Sequence, residues 1–285
     1  MGDTIVSIDN EISRLRDILH KEDTVIFVGS GISTWSKLPT WNEMMYQLAD
    51  FCYSEGKDAE LVLQEIERGN LLQAASYGYD ELNSEQQGRF IQSTYHNGAT
   101  PHEIHEILVS LGSTCFITTN YDDLLEQALR NLGKAHVRCC MNTGETEMAR
   151  IVHANAKNFV FKPHGDADDV KHIVLTRTQY RNLMPHGSLH TAMETLRILL
   201  MTRNVVYIGF GFRDPDFAYV RDTLGNLYQG VTPAHYAIMA NVSPKEQHFW
   251  HKHDGIHITS YQTSESKDHS GSHVRLLELL DLLKN

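Results

Sequence analysis

The chain has 285 residues, 41% of them hydrophobic, so it is long enough for one large domain or two small ones with an ordinary buried core. The 36 acidic residues outnumber the 25 Lys and Arg residues, and the formal net charge of −11 repels nucleic acid and anionic membranes. Because no basic patch in the sequence offsets this charge, we expect neither nucleic acid nor a membrane as a direct partner.

The sequence lacks the features of a secreted protein. Its first residues, MGDTIVSIDNE, have neither the basic nor the apolar region of a signal peptide, and no apolar run reaches transmembrane length. The four cysteines, at positions 52, 115, 139 and 140, form no C-x-x-C pair and are typical of reduced thiols. These features predict a cytoplasmic location.

The chain opens with an amphipathic pattern, a buried strand and a glycine turn. Apolar residues at three- and four-residue spacings predict a helix over residues 4–20. The β-branched run Val25 to Val28 indicates a strand covered on both faces, and Gly29 and Gly31 follow it in a turn that can approach a phosphate. Thr40 is a suitable N-cap for a helix that runs to about residue 53.

A long helical stretch separates the first strand from the second. Gly, Asn and Pro divide it into predicted helices over residues 58–68, 71–79, 85–95 and 102–111. We therefore predict an all-helical insertion over about residues 58–111, which forms a small lobe beside the sheet.

Further strands are predicted in the rest of the chain. They cover residues 114–118, 159–162, 204–208, 235–239 and 256–260. We also predict a helix that follows the second strand and ends near Arg130, helices that begin at Asp214 and at Ser243, and a helix over about residues 273–283.

Strands that alternate with helices predict a Rossmann-like α/β fold. We expect a mostly parallel sheet of about six strands flanked by helices, within a single domain over residues 1–285. Residues 132–158 and 262–272 are predicted to be loops. Ligands of such sheets bind outside the carboxyl ends of the strands, so the polar and glycine-rich segments after four of the strands should converge on one edge.

The GSGIS segment at 29–33 is by itself weak evidence for a nucleotide site. The third glycine of the dehydrogenase fingerprint would fall at Thr34, and Asp50, the acidic residue at about the right distance, lies in a helical pattern. A tight structural turn therefore remains an equal alternative for this segment when it is considered alone.

Later motifs change that balance. GSGIS is followed by Leu38, Pro39 and Trp41, and then by TTNYD at 118–122, KPHGD at 162–166, GFGF at 209–212 and DPD at 214–216. In this order and spacing the motifs resemble the sirtuin-type NAD-binding domain. More narrowly, they are similar to the sirtuin-like NAD hydrolases of bacterial anti-phage defence.

The resemblance implies a role for each matching residue. Asn120 would hold the nicotinamide ribose and its attacking water, and His164 would be the general base. Asp122 would lie near the nicotinamide, and Gly209 and Gly211 would border the adenosine half. The other implied NAD-binding residues are Gly29, Ser30, Gly31, Ile32 and Ser33 around the phosphates, and Thr119.

Two departures from protein-deacylating sirtuins are visible. Thr119 stands where those enzymes usually have Gln, and the paired C-x-x-C zinc ligands are absent from the sequence. We therefore expect no zinc, and these departures disfavour protein deacylation while leaving the predicted NAD binding unaffected.

The residues also suit NAD cleavage chemically. Nicotinamide is a cationic leaving group, so the barrier lies in an oxocarbenium-like carbon and positioning should dominate. A histidine can take a proton from water or a ribose hydroxyl, and an asparagine can hold that group. With a net charge of −11, the diphosphate is expected to bind backbone N–H groups of the glycine turn and a helix N-terminus.

Each motif also has a purely structural interpretation. His164 alone would be a hydrogen-bonded core histidine, and Asn120 also suits a helix N-cap. Asp214 and Asp216 are interpreted as capping residues rather than ligands. Trp35 and Trp41 either line the pocket or anchor the glycine loop to the core.

Two groups of histidines are candidates for metal binding. They are His102 with His105, and the group His248, His251, His253 and His257. Neither has the H-E-x-x-H spacing, and solvated faces explain both groups.

The sequence thus predicts a hydrolase that cleaves NAD to nicotinamide and ADP-ribose. A free NAD hydrolase would poison its own cell, so we expect control by homo-oligomerisation, by a partner such as a ring-shaped ATPase, or by a sensor domain in a longer chain. The alternatives are a non-catalytic NAD or ADP-ribose sensor and an NAD-dependent protein deacylase.

Overall fold

The computed structural model describes residues 8–153, 156–212, 233, 235–266 and 268–284. Two predictions lie outside these ranges. They are the helix start at Asp214 and Pro215, with the capping residue Asp216, and the first residues of the predicted 4–20 helix. Within them, no helix combines the length and the apolar character that crossing a bilayer requires.

Seven parallel strands form a single sheet in the order β3-β4-β2-β1-β5-β6-β7. The strands are β1 (Thr24–Val28), β2 (Cys115–Thr118), β3 (Arg138–Met141), β4 (Phe159–Lys162), β5 (Asn204–Ile208), β6 (His235–Ala240) and β7 (Ile256–Tyr261). Every neighbouring pair is parallel. The predicted Rossmann-like architecture is confirmed, with one strand more than expected.

The helices connect and cover these strands. They are α1 (Ile8–Leu19), α2 (Ser30–Ser33), α3 (Trp41–Ser54), α4 (Glu60–Glu67), α5 (Leu71–Glu81), α6 (Ser84–Tyr95), α7 (Glu103–Ser110), α8 (Leu124–Asn131), α9 (Glu145–His153), α10 (Arg177–Leu183), α11 (His190–Thr202), α12 (Pro244–Asp254), α13 (His269–Ser272) and α14 (Val274–Leu282). Thr40 caps α3 in a reciprocal capping box with Glu43, as its position predicts.

The additional strand corrects one prediction. Residues 132–158, expected to be a loop, contain β3 and α9. β3 lies at the edge of the sheet, where Arg138 and Cys139 are exposed, so it lacks the continuous apolar run that marks a doubly covered strand. Residues 262–272, also expected to be a loop, contain the one-turn helix α13, and α10 and α11 lie in a segment without predicted helices.

Alternating residues of the central strands face two separate apolar cores. On one face, Val25 and Phe27 pack with residues of α9, α10 and α11. On the other face, Ile26 and Val28 pack with residues of α1, α7, α8 and α14. Each face is covered, which explains why these strands consist of uninterrupted apolar residues.

A third apolar cluster forms the helical insertion between β1 and β2. It joins α3, α4, α5 and α6 around buried residues such as Leu48, Ile66 and Phe90. The helix α7 instead packs on the sheet through Ile104 and Leu108. The cluster also includes Tyr121 from the segment after β2, so the lobe reaches the carboxyl edge of the sheet.

A buried histidine in β6 should make stability depend on pH. Burial lowers the pKa of His235 to about 4 from the ordinary 6.5. In the neutral form, Nε2–H donates to Leu200 O (2.9 Å) and Nδ1 accepts from the Tyr207 hydroxyl (3.1 Å). Between these two pKa values only the unfolded state binds the proton, so stability falls with falling pH by about 1.4 kcal/mol per unit.

The measurement is urea unfolding of the wild type and His235→Gln from pH 7 to pH 4. We expect the stability advantage of the wild type to shrink as the pH falls below 6.5. The exposed His248→Gln is the matched control. An advantage that stays constant over this range would contradict the prediction.

Candidate functional site

A cavity of about 620 Å³ opens at the carboxyl edge of the sheet. It lies where the strand order reverses, because β1 has β2 on one side and β5 on the other. Its walls come from the segments after β1, β2, β4 and β5 and from α3, α5, α6 and α10. Ligand sites of open parallel sheets occur at this topological switch point, and the volume is typical of small-molecule pockets.

The glycine turn after β1 is fitted closely against the segment after β5. Gly29 N–H donates to Ile208 O and Gly31 N–H donates to Gly209 O, both at 3.0 Å. A Cβ at Gly29 would lie 2.3 Å from Gly209 O, and one at Gly31 would lie 2.9 Å from the same atom. The two glycines are therefore required for backbone contact between strand ends, and their N–H groups are already hydrogen bonded.

A buried hydrogen-bond chain joins the first and second strand ends. The Ser33 hydroxyl donates to Asp122 Oδ2 (2.7 Å) and accepts from Asn120 Nδ2 (2.8 Å). Asp122 Oδ1 accepts the N–H of Leu124, which starts α8. Burial raises the pKa of Asp122, an effect that the charge of Lys162 and the Ser33 hydrogen bond partly offset.

This chain fixes the orientation of the Asn120 amide. Its nitrogen is committed to Ser33, whereas its buried Oδ1 has no hydrogen-bond partner. The backbone N–H of Asn120 donates to Thr118 Oγ1, which in turn donates to Val28 O. A held amide with an unpaired oxygen can accept a hydrogen bond from a hydroxyl group or a water molecule.

His164 enters the same cavity from the segment after β4. Its side chain is buried, and its ring meets that of Tyr180 edge-on at 5.3 Å. Its carbonyl accepts the N–H of Val174 (2.9 Å), which holds the backbone. The next residue, Gly165, has φ of 82°, and a Cβ there would lie 2.7 Å from His172 O, so the turn after His164 requires glycine.

Aromatic side chains form the wall beyond β5. Phe210 and Phe212 line the cavity and pack on Phe27 and Tyr207, with ring centroids 4.7 Å apart for Phe27–Phe210 and 5.0 Å for Tyr207–Phe212. Trp41 also lines the cavity, whereas Trp35 is buried in the core. Of the two roles that the sequence left open, Trp41 thus lines the pocket and Trp35 packs in the core.

The structure brings most of the predicted site residues together. Those that line the cavity are Ser30, Ser33, Thr119, Asn120, Asp122, His164, Gly209 and Gly211. Gly29, Gly31 and Ile32 lie just behind it, and the Ile32 side chain packs in the core. The helices α5, α6 and α10 also contribute to the cavity, through residues such as Leu71, Tyr95 and Tyr180. No local sequence pattern links these helices to the strand ends, so their contribution could not be predicted from the sequence.

The histidines of the two candidate groups differ in their burial. Among the residues that the structure describes, no three His, Cys, Asp or Glu side chains are placed to share a metal ion. The solvated-face interpretation is wrong for His105, which is 1% exposed and whose pKa burial lowers to about 4. His257 stacks on Tyr236 and is also partly buried.

A family model described as the SIR2-like domain matches residues 114–259, just over half of the chain. The chain belongs to the SIR2-like family. The matched range of this SIR2-like chain contains Asn120, Asp122, His164 and Gly209, and thus three of the strand ends that form the cavity.

Two curated relatives and one solved structure give the comparison more detail. NAD(+) hydrolase ThsA of Enterococcus faecium is 29% identical over 234 residues, which cover 81% of this chain and 46% of that protein. Defense-associated sirtuin 2 of Bacillus subtilis is 22% identical over 239 residues, covering 82% of this chain and 22% of that protein. The structure of Sir2Tm bound to a propionylated peptide is 13% identical, covers 94% of this chain and 98% of that chain, and has a TM-score of 0.47. The SIR2-like chain thus spans less than half the length of these two curated relatives.

Proposed function

We propose that this chain hydrolyses NAD, breaking the bond between nicotinamide and ribose to release nicotinamide and ADP-ribose. The observation that carries the proposal is the unpaired Oδ1 of Asn120, held in the same cavity as His164. The proposal is supported by membership of the SIR2-like family and by relatives that are named NAD(+) hydrolases.

The proposed reaction is a displacement at the anomeric carbon of the ribose. The carbon–nitrogen bond breaks with its electron pair going to the nicotinamide ring, which leaves as a neutral molecule, while a water oxygen bonds to the anomeric carbon. Because the leaving group is already cationic, no strong general acid is needed, and the transition state resembles an oxocarbenium ion as in glycoside hydrolysis. Catalysis then depends chiefly on positioning.

Asn120 and His164 divide the work in this proposal. Asn120 Oδ1 accepts a hydrogen bond from the attacking water or a ribose hydroxyl, while Ser33 keeps the amide from rotating. His164 takes the proton that the water loses. Asp122, which accepts the Ser33 hydroxyl hydrogen bond, would lie near the nicotinamide.

The rest of NAD would occupy the remaining length of the cavity. Among the described residues of its lining there is no Lys or Arg, so hydroxyl and amide donors such as Ser30 and Thr119 are proposed to meet the diphosphate. Gly209 and Gly211 would border the adenosine half, beside the aromatic wall. Gly29, Gly31 and Ile32 would act through the backbone shape of the turn.

We further propose a regulated effector that depletes NAD in anti-phage defence. The name of the Bacillus subtilis relative, a defense-associated sirtuin, supports this role. We expect a single catalytic domain in the cytoplasm. Its activity would be controlled by homo-oligomerisation, by a partner such as a ring-shaped ATPase, or by a sensor domain of a longer chain.

The test is to separate the oligomeric states of the purified protein and to measure nicotinamide and ADP-ribose after incubation of each state with NAD. We expect nicotinamide release in at least one assembly state. Calorimetry on the same fractions reports NAD binding. Saturable NAD binding without nicotinamide release in any assembly state would indicate a non-catalytic sensor and overturn the proposal.

A further inference from the structure

A fully buried lysine lies behind the cavity wall. Lys162 is the last residue of β4 and precedes His164 by two positions, and its side chain has 0% exposure. It does not line the cavity. An ammonium group in a protein interior loses its hydration, so such a lysine persists only when opposite charges and hydrogen-bond acceptors surround it.

Three acceptors from three segments surround the Lys162 ammonium group. Nζ donates to the backbone carbonyl of Asp122 (2.6 Å), lies 3.3 Å from Glu126 Oε1 on α8, and pairs with the Asp166 carboxylate. Burial acts to lower the pKa of Lys162, but the charges of Glu126, Asp166 and Asp122 outweigh it, so the pKa is raised. The group is therefore a permanent cation with three fixed partners.

Two of these partners, the Asp122 carbonyl and the Asp166 carboxylate, belong to the segments that carry Asn120 and His164. The Asp122 carbonyl follows Asn120 by two residues, and Asp166 follows His164 by two residues. Asp166 Oδ1 also accepts the N–H of Asp168 (2.9 Å), which bends the segment into a turn. One further backbone bond, from Ala167 N–H to Tyr121 O (2.9 Å), runs between the same two segments.

We propose that Lys162 is a positioning residue that sets the spacing between Asn120 and His164 by fastening both strand-end segments to one buried charge. No neutral side chain offers three donors at one point. The two carboxylate partners carry more negative charge than the ammonium group carries positive charge. The cluster therefore adds no net positive charge behind a site in which a cationic carbon would develop. The expected effect of Lys162 on turnover rests on the proposed NAD hydrolysis, whereas its expected effect on the spacing of the two segments does not.

The kinetic test compares three variants with the wild type. Lys162→Met leaves the largely covered carboxylates of Glu126 and Asp166 without their counter-charge and is expected to lower the thermal midpoint. The compensated variant Lys162→Met/Glu126→Gln/Asp166→Asn removes those charges and should recover most of that loss. Lys134→Met is the matched control, because Lys134 also donates to a backbone carbonyl, that of Val109, and neither residue lines the cavity.

For the compensated variant we expect kcat for NAD to fall about 100-fold, the cost of a misplacement of about 1 Å, with KM changed less than about threefold. A purely structural lysine would instead allow kcat to recover together with the thermal midpoint. A compensated variant with kcat within about twofold of the wild type overturns the proposal. If that variant does not fold, Asp166→Asn alone tests the proposal. We then expect kcat to fall about tenfold at unchanged KM. An unchanged kcat would overturn the proposal.

Hydrogen exchange on the NAD-free protein separates this proposal from the proposed function. We expect the amides of residues 119–124 to exchange at least about tenfold faster in the compensated variant, or in Asp166→Asn, than in the wild type and Lys134→Met. Unchanged exchange overturns the positioning role even if NAD is hydrolysed. Faster exchange in a protein that releases no nicotinamide in any assembly state would refute the proposed function alone.

Discussion

Replacing His164 with alanine is expected to lower kcat for NAD hydrolysis by about 10²- to 10⁴-fold, the usual contribution of a positioned general base. The ring is buried against Tyr180 at the end of β4, and its backbone is held by Val174. Because this backbone bond does not involve the side chain, the substitution should leave the strand end in place while it removes the proton acceptor. Nicotinamide release, measured at saturating NAD in the active assembly state, reports the change.

Asn120→Ala is expected to have a comparable effect for a different reason. It removes the unpaired Oδ1 and also frees the Ser33 hydroxyl from its second partner. The matched control is His172→Ala, because His172 lies on the same stretch after β4, is partly exposed and pairs with Asp169 rather than lining the cavity. Wild-type turnover in both the His164 and the Asn120 variants would refute the site assignment.

Gly29→Ala is expected to destabilise the fold by about 3 kcal/mol, the upper part of the range for overpacking. The added Cβ would lie 2.3 Å from Gly209 O and 2.6 Å from Phe210 Cα. Both are backbone atoms, so no side-chain rotation relieves the clash and the segment after β5 must move. Because that segment carries Phe210 into the cavity, NAD turnover should fall as well. Urea unfolding measures the first effect and nicotinamide release the second.

Gly211→Ala is the control for this substitution. Nothing lies within 4 Å of a Cβ at Gly211, which is exposed, so its unfolding free energy should change by less than about 0.5 kcal/mol. Equal stability of the Gly29 and Gly211 variants would show that the contact between the β1 and β5 ends tolerates a side chain, contrary to the geometry.

The sequence predicted the central strands because each carries a clear physical signal. The bounds of β4 and β5 were predicted to the residue, since a strand covered on both faces is a short apolar run that ends abruptly in Pro or Gly. The same reasoning placed Asn120 and His164 at strand ends on one edge, and the cavity contains both. Parallel topology follows from the alternation of strands and helices.

What the sequence could not reveal depends on contacts between distant residues. β3 is an edge strand with two exposed residues, so its pattern resembles a loop. His105 belongs to a helix that faces the sheet, yet its polar neighbours Glu103 and Glu106 suggested a solvated face. The lysine of KPHGD gave no sign of burial, because its partners Asp122 and Glu126 lie about 40 residues earlier in the chain.

The central position of β1 also determines when the cavity is completed during synthesis. β1 pairs with β2 on one side and with β5 on the other, and the N–H groups of Gly29 and Gly31 meet their acceptors only at residues 208 and 209. Parallel pairing across so long a stretch of chain forms slowly, because a large loop must close first. A ribosome-bound chain that ends before β5 therefore lacks one wall of the cavity. For the proposed NAD hydrolase, unfinished chains are expected to be inactive, so that translation itself does not consume the NAD of the cell.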